Sequence, residues 1–262
     1  MEYISRNQKV AHNVAVATTT KYDINSPVGK VRANLALQTV RSFCNLGAEV
    51  YVVDGDSSEK FCNDLESAGA HVYQENFSKG KHPMGKSRRQ ALELACNGGR
   101  KVVLWTEPEK TCLPSQLYKL VEPILDNSAE IVIPDRRPLS TYPISQQHAE
   151  NLGNAYWKEV TGTDLDIYVG TRIIKNKSSA MLNFLDYEGK YGDLWDGLYA
   201  PVIQTILKDK TKVIGVKIDY IHPKVQTNIE EGDPEFTKKR LAQLNNLFFT
   251  FKKLWEDGTK ID

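Results

Sequence analysis

The run AEVYVVDGDSS, residues 48–58, decides how the chain reads. Ala48 to Val53 is rich in β-branched and apolar residues and reads as a strand. It passes without a spacer into Asp54-Gly55-Asp56, then into Ser57 and Ser58. Either serine can cap the helix expected from Glu59 to Ala68, because its side-chain oxygen accepts a free backbone N–H of the first turn. Gly47, just upstream, is a stop signal for a preceding helix. A strand that ends in an acidic turn and a capped helix is one unit of an α/β sheet.

Working outward, the same unit recurs. Asn13 to Thr18 (NVAVAT) is a strand, followed by a polar loop and a helix from Val31 to Leu46. On the other side lie a brief strand at His71 to Tyr73, a loop at Gly80 to Gly85 and a helix from Lys86 to Cys96. Lys101 to Trp105 (KVVLW) is a near-continuous apolar strand of the buried parallel kind. It leads into Thr106-Glu107-Pro108-Glu109-Lys110, then a helix from Leu113 to Leu125 opened by Pro114, then a strand at Glu130 to Pro134. This alternation predicts an α/β fold: a mostly parallel, Rossmann-like central sheet with helices on both faces and ligands beyond the carboxyl ends of the strands.

The second half is less regular. It is expected to hold a loop at Arg136 to Ser145, a helix from Gln146 to Val160, a strand near Ile167 to Ile174, a helix from Leu194 to Leu207 and a strand from Lys212 to Tyr220. Glu230 to Pro234 (EEGDP) reads as a turn-rich bridge into a last helix, Phe236 to Trp255. On that helix Leu241, Leu244, Phe248, Phe251 and Trp255 form one stripe, read as core contact or as the seam of a homo-oligomer. One domain over residues 1–262 is expected, with 13–135 as its ligand-binding half, 136–233 as an elaborated second half and 234–262 as a C-terminal helix.

Composition narrows the function classes. Hydrophobic residues make up 40% of the 262 and charged residues 26%, enough to bury a large core. Lys and Arg total 34 against 33 for Asp and Glu, so no overall basic field exists to hold a nucleic acid. Met1 to Val14 lacks the apolar core of a secretory signal, and no stretch approaches the roughly 20 apolar residues of a membrane span. A cytoplasmic protein is expected. Cys44, Cys62, Cys96 and Cys112 are widely spaced and read as buried free thiols.

Three polar clusters follow the strands of the first half. The order V-V-D-G-D-S-S, then M-G-K-S-R-R-Q-A-L-E-L-A, then V-V-L-W-T-E-P-E resembles the nucleotide-sugar-binding half of glycosyltransferases with the GT-A fold, those of the family 2-like type. The resemblance covers residues 13–135 clearly and 136–233 more loosely. It implies transfer of a sugar from a nucleotide-diphosphate sugar to a soluble acceptor, a small polar molecule or a protein. It also implies that Asp54, with Asp56 beside it, contacts the nucleoside, and it places Thr18, at the end of the first strand, at the donor site.

Gly85-Lys86-Ser87-Arg88-Arg89 sits at a loop-to-helix junction, where free N–H groups and the cations Lys86, Arg88 and Arg89 can meet a diphosphate. Cations oppose the macrodipole at a helix N-terminus, which favours an anionic ligand there. Glu107-Pro108-Glu109 stands where the family carries Asp-x-Asp, the pair that holds a divalent cation. Two carboxylates suit Mg²⁺ or Mn²⁺, and the exchange of Asp for Glu departs from the pattern. His222, after the expected last strand, resembles the late histidine that completes the metal shell in some members. Tyr191-Gly192-Asp193-Leu194-Trp195-Asp196 offers Asp193 and Asp196 as bases to deprotonate the acceptor and Trp195 to stack on a sugar. Each residue also has a plain reading as a turn, a helix cap or a surface ion pair. Arg136, Arg137 and Arg172 read as salt-bridging residues or as anion contacts. A non-catalytic nucleotide or sugar binder remains an alternative. A sugar-phosphate nucleotidyltransferase fits poorly, because its G-x-G-x-R loop is replaced by Thr18-Thr19-Thr20-Lys21.

Overall fold

The computed structural model describes residues 2–76 and 84–259, with side chains from residue 5 onward. The expected loop at Gly80 to Gly85 therefore lies largely outside the described residues; Gly85 itself is already helical. The first half runs α1 (Glu2–Ala11), β1 (Val14–Thr20), α2 (Pro27–Leu46), β2 (Glu49–Asp54), α3 (Glu59–Ser67), β3 (His71–Gln74), α4 (Met84–Asn97), β4 (Val102–Trp105), α5 (Leu117–Leu125) and β5 (Ile131–Asp135). The second half adds α6 (Ile144–Thr161), β6 (Arg172–Lys175), α7 (Ser179–Leu185), α8 (Asp196–Lys208), β7 (Val213–Lys217), α9 (Lys224–Glu230) and α10 (Pro234–Thr259).

All seven strands join one sheet in the order β3-β2-β1-β4-β6-β5-β7. Only β6 runs against the rest, pairing antiparallel with both β4 and β5. The mostly parallel sheet is as expected, and its two faces separate cleanly. Val14, Val16, Val50, Val52, Val102 and Leu104 point to a core shared with α2 and α5. Ala15, Ala17, Tyr51, Val53, Val103 and Trp105 point to a second core under α4, α6, α8 and α10. Period-two alternation with both faces apolar is why these strands read as continuous hydrophobic runs.

Several elements depart from expectation. The helix expected from Val31 begins at Pro27, because Ser26 accepts from the Gly29 N–H and Pro27 occupies the first turn, where no N–H is needed. The strand expected over Ile167 to Ile174 is split. Ile167–Val169 forms a short 3-10 turn, Gly170 takes φ +70°, and only Arg172–Lys175 pairs in the sheet. A Cβ on Gly170 would sit 2.5 Å from Glu107 Oε1, so the bend and the missing side chain make room for Glu107. The helices α1, α7 and α9 were not expected. In the C-terminal stripe, Leu244 and Phe251 are buried and Phe248 and Trp255 pack against the same core, while Leu241 is exposed. Among the described residues no helix is long and apolar enough to cross a membrane.

Candidate active site

The turns after β1 and β4 open onto one cavity of about 350 Å³ at the carboxyl edge of the sheet. Its floor is the β4 turn: Trp105, Glu107, Pro108, Glu109 and Lys110 all line it. Thr19 to Tyr22, after β1, form one wall and α4 contributes Met84, Ser87 and Arg88. The register that pairs Ala17 with Trp105 in adjacent parallel strands brings these turns together.

Arg88 is the dominant charge. It is almost fully buried, its guanidinium lies 4.4 Å from the Trp195 ring and 5.6 Å from the Trp105 ring, and it donates to the Leu194 carbonyl at 2.6 Å. It forms no ion pair among the described residues, its Nε lacks any hydrogen-bond partner, and burial lowers its pKa to about 10. Arg172, wholly buried at the start of β6, donates only to the carbonyls of Ile167, Thr171 and Leu198, and burial likewise lowers it to about 10. Two buried guanidiniums without a carboxylate partner are costly unless an anion completes them. The antiparallel course of β6 puts Arg172 opposite Trp105, at the same sheet edge as the cavity.

Glu107 and Glu109 both line the cavity but face different neighbours. Glu107 lies 3.9 Å from Lys110, and its Oε2 is buried without a hydrogen-bond partner. Glu109 accepts from the Tyr22 hydroxyl at 2.8 Å and stands 3.8 Å from Arg32 Nε. Burial and the Glu109 charge push the Tyr22 pKa well above its usual value, which keeps the phenol protonated as a donor. A divalent cation is compatible with this pair only where phosphate oxygens and water fill the rest of its shell, a common arrangement for Mg²⁺. Among the described residues no group of three His, Cys, Asp or Glu side chains gathers as a metal site.

His222 is accordingly not beside the acidic pair. It is buried, stacked on Tyr142 at 4.2 Å, with its Nε2 3.6 Å from Glu230 Oε2. Glu230 accepts from Arg32 at 3.1 Å and from Gln226 at 2.9 Å. The histidine thus reaches Glu109 only through Glu230 and Arg32, as support for that arginine.

Other expected donor residues serve the scaffold. Asp54 is completely buried: it accepts from Thr20 Oγ1 at 2.6 Å and from the backbone N–H groups of Asp56 and Ser57, so it fixes the turn after β2 rather than facing the cavity. Thr18 donates to the Thr106 carbonyl and ties β1 to β4. Asp56 and Lys86 are exposed and do not line the cavity. Arg89 is bound to Asp193 through both carboxylate oxygens, at 2.6 and 3.1 Å. Both Asp193 carboxylate oxygens are therefore engaged by Arg89, and its carbonyl also accepts from Gly85 N–H. Asp196, buried at the first turn of α8, accepts from Thr250 on α10 and packs against Gly192, outside the cavity. Of the 191–196 segment only Trp195 reaches the cavity. Arg136 and Arg137 follow the plain reading: Arg136 is buried between Asp166 and Glu150, and Arg137 pairs with Asp135 and Asp164.

Five cavity cations escaped sequence reasoning: Lys21 after β1, Arg32 on α2, Lys110 after β4, and Lys239 and Arg240 on α10. No local motif marks Arg32, and the KKR run at 238–240 reads as an ordinary solvated face.

The sequence matches no protein-family model and no curated protein. Solved structures do match in fold. Glucosyl-3-phosphoglycerate synthase of Mycobacterium tuberculosis superposes with a TM-score of 0.60 at 15% identity, covering 94% of this chain and 84% of that one. The same enzyme in complex with Mn²⁺, UDP-glucose and phosphoglyceric acid gives 0.62 at 13% identity, with 94% and 82% covered. Its complex with Mg²⁺ and UDP gives 0.59 at 13% identity, with 94% and 83% covered. The fold is shared. At these identities the likeness extends to the arrangement of strands and helices and not to individual side chains.

Proposed function

We propose that the cavity takes a nucleotide-diphosphate sugar and that the chain transfers the sugar to a hydroxyl of a small polar acceptor. The observation that carries this reading is Arg88: a buried, unpaired guanidinium between two tryptophans, on the wall of a cavity whose floor bears Glu107 and Glu109. A diphosphate supplies the missing counter-charge, and the indole rings supply apolar surface for a sugar ring and keep water out. The shared fold supports the reading, since the mycobacterial enzyme is described with UDP-glucose and with Mn²⁺ or Mg²⁺.

In this reading Glu107 and Glu109 would hold a divalent cation, which would supply counter-charge for a leaving diphosphate. Arg88 donates to phosphate oxygens from the α4 wall. Tyr22 and Arg32 orient Glu109, and Asp193 and Asp196 act as positioning residues that seat the segment carrying Trp195. The cysteines Cys44, Cys62, Cys96 and Cys112 are all free, which suits a reducing compartment such as the cytoplasm.

Calorimetry with UDP, with and without Mn²⁺, tests the proposal. Wild-type protein is expected to bind UDP more tightly with Mn²⁺ and to hydrolyse one nucleotide sugar slowly. In the double variant Glu107→Gln/Glu109→Gln the metal response is expected to vanish. Unchanged affinity and unchanged metal response in that variant would remove the acidic pair from the site, and a wild type that binds no nucleoside diphosphate would overturn the donor reading.

A further inference from the structure

Arg32, Lys239 and Arg240 come from opposite ends of the chain to one part of the cavity wall. Arg32 is held by Glu230 and Glu109. Among the described residues Lys239 and Arg240 form no ion pair, whereas their neighbour Lys238 pairs with Glu235 at the surface. Arg240 lies 4.7 Å from the Phe236 ring and donates to Gln243 Oε1, yet its Nε is buried without a hydrogen-bond partner. The Nε of Arg32 is in the same condition. Partial desolvation, with Arg32 and Arg240 alongside, lowers the pKa of Lys239.

Like charges this close repel, and buried donors left without acceptors add to the cost. A solvated basic face would splay its side chains into water, and Lys238 does so. Arg32 and Arg240 are instead half-buried along a concave wall, with Lys239 exposed at its rim. A phosphoryl group carries the several oxygens and the charge that such donors require, and guanidinium forks match its geometry.

We infer that Arg32, Lys239 and Arg240 form a phosphoryl-binding wall of the cavity, separate from Arg88. The inference rests on the donor reading above for what enters the cavity. The phosphoryl group belongs either to the diphosphate of the nucleotide sugar or to a phosphorylated acceptor.

The test is calorimetry on the full chain in EDTA, comparing wild type with Lys239→Ala/Arg240→Gln, and with Lys239→Ala alone as the variant least able to disturb folding. The probes are UDP, inorganic pyrophosphate, uridine, and 3-phosphoglycerate added to UDP-saturated protein. The double variant is expected to lose about tenfold or more in affinity for a phosphorylated probe while uridine binding stays unchanged. Loss confined to UDP and pyrophosphate assigns the wall to the donor; loss confined to 3-phosphoglycerate assigns it to the acceptor. Unchanged affinity for every phosphorylated probe in both variants overturns the inference, as does an equal loss for uridine. A wild type that binds pyrophosphate, with a loss in the variants, but never binds UDP sinks the donor reading and leaves the wall standing.

Discussion

Arg89 and Asp193 meet through a two-point ion pair that fastens the loop before α8 to the first turns of α4. The Gly85 N–H donates to the Asp193 carbonyl beside it, so side chain and backbone close the same joint. Trp195 lies two residues further on, over Arg88. The joint therefore sets the position of an aromatic wall without entering the cavity.

If Asp193 acts by position, Arg89→Gln and Asp193→Asn should behave alike. Each is expected to cost about 1 kcal/mol, the pair being partly exposed, and the double variant should cost little more than either single one. Denaturant titration of the four proteins measures the coupling. Turnover should fall by a similar small factor in all three variants. A loss of about a hundredfold or more in Asp193→Asn alone would instead mark it as a base.

Gly85 admits no side chain at this joint. An added Cβ would lie 1.9 Å from Asp193 Oδ1 and 2.9 Å from its carbonyl oxygen. Gly85→Ala is therefore expected to destabilise by roughly 1–3 kcal/mol, as overpacking does, and to loosen Trp195. A lowered unfolding midpoint together with altered tryptophan fluorescence would register both effects, and a midpoint equal to wild type would contradict them.

Arg88 should trade stability against affinity. Replacing it with Met removes a buried charge that has no carboxylate partner, so Arg88→Met is expected to leave stability unchanged or raise it by about 1 kcal/mol. Affinity for UDP should fall about tenfold or more. Thermal unfolding and calorimetry on the same samples separate the two, and a large loss of stability would show that Arg88 is held mainly by its protein contacts.

Acid should weaken the fold in two stages through His222 and Glu230. Burial, with Lys110 and Arg136 nearby, lowers the His222 pKa, so the unfolded chain takes up that proton first and stability falls as pH drops through the unfolded histidine value of about 6.5. For Glu230 burial opposes ionisation, but His222, Gln226 and Arg32 outweigh it and bring its pKa to about 2. Its stabilisation is present above the unfolded value of about 4.5 and is lost as pH falls toward 2, at most about 3 kcal/mol. Glu230→Gln should flatten the lower stage and deepen the upper one, because the Glu230 carboxylate partly holds up the His222 pKa. Identical acid unfolding curves for the variant and wild type would refute this.

The first half of the sheet was legible because its strands are apolar on both faces and its turns carry glycine, serine and acidic residues at the strand ends. Helix α1 was not, since its sequence is polar and it is tied down by two distant residues: the Asn7 amide donates to the Ser115 carbonyl and accepts from the Tyr118 N–H. The same limit applies at the site. Arg88, Glu107, Glu109 and Trp195 stand out locally and do reach the cavity, whereas Thr18 and Asp54 occupy the same strand ends with side chains turned into the protein. Strand position tells which edge a residue is on, and rotamer and neighbours decide which way it faces. Arg172 was read as a salt-bridging or anion-contacting residue, but its approach to the cavity edge depends on β6 running backwards.

Every strand is complete by Lys217, whereas Gln226, Lys239 and Arg240 line the cavity from beyond it. A ribosome emits the chain N-terminal end first. The residues that form the strands are thus made before those that supply the last wall of the cavity.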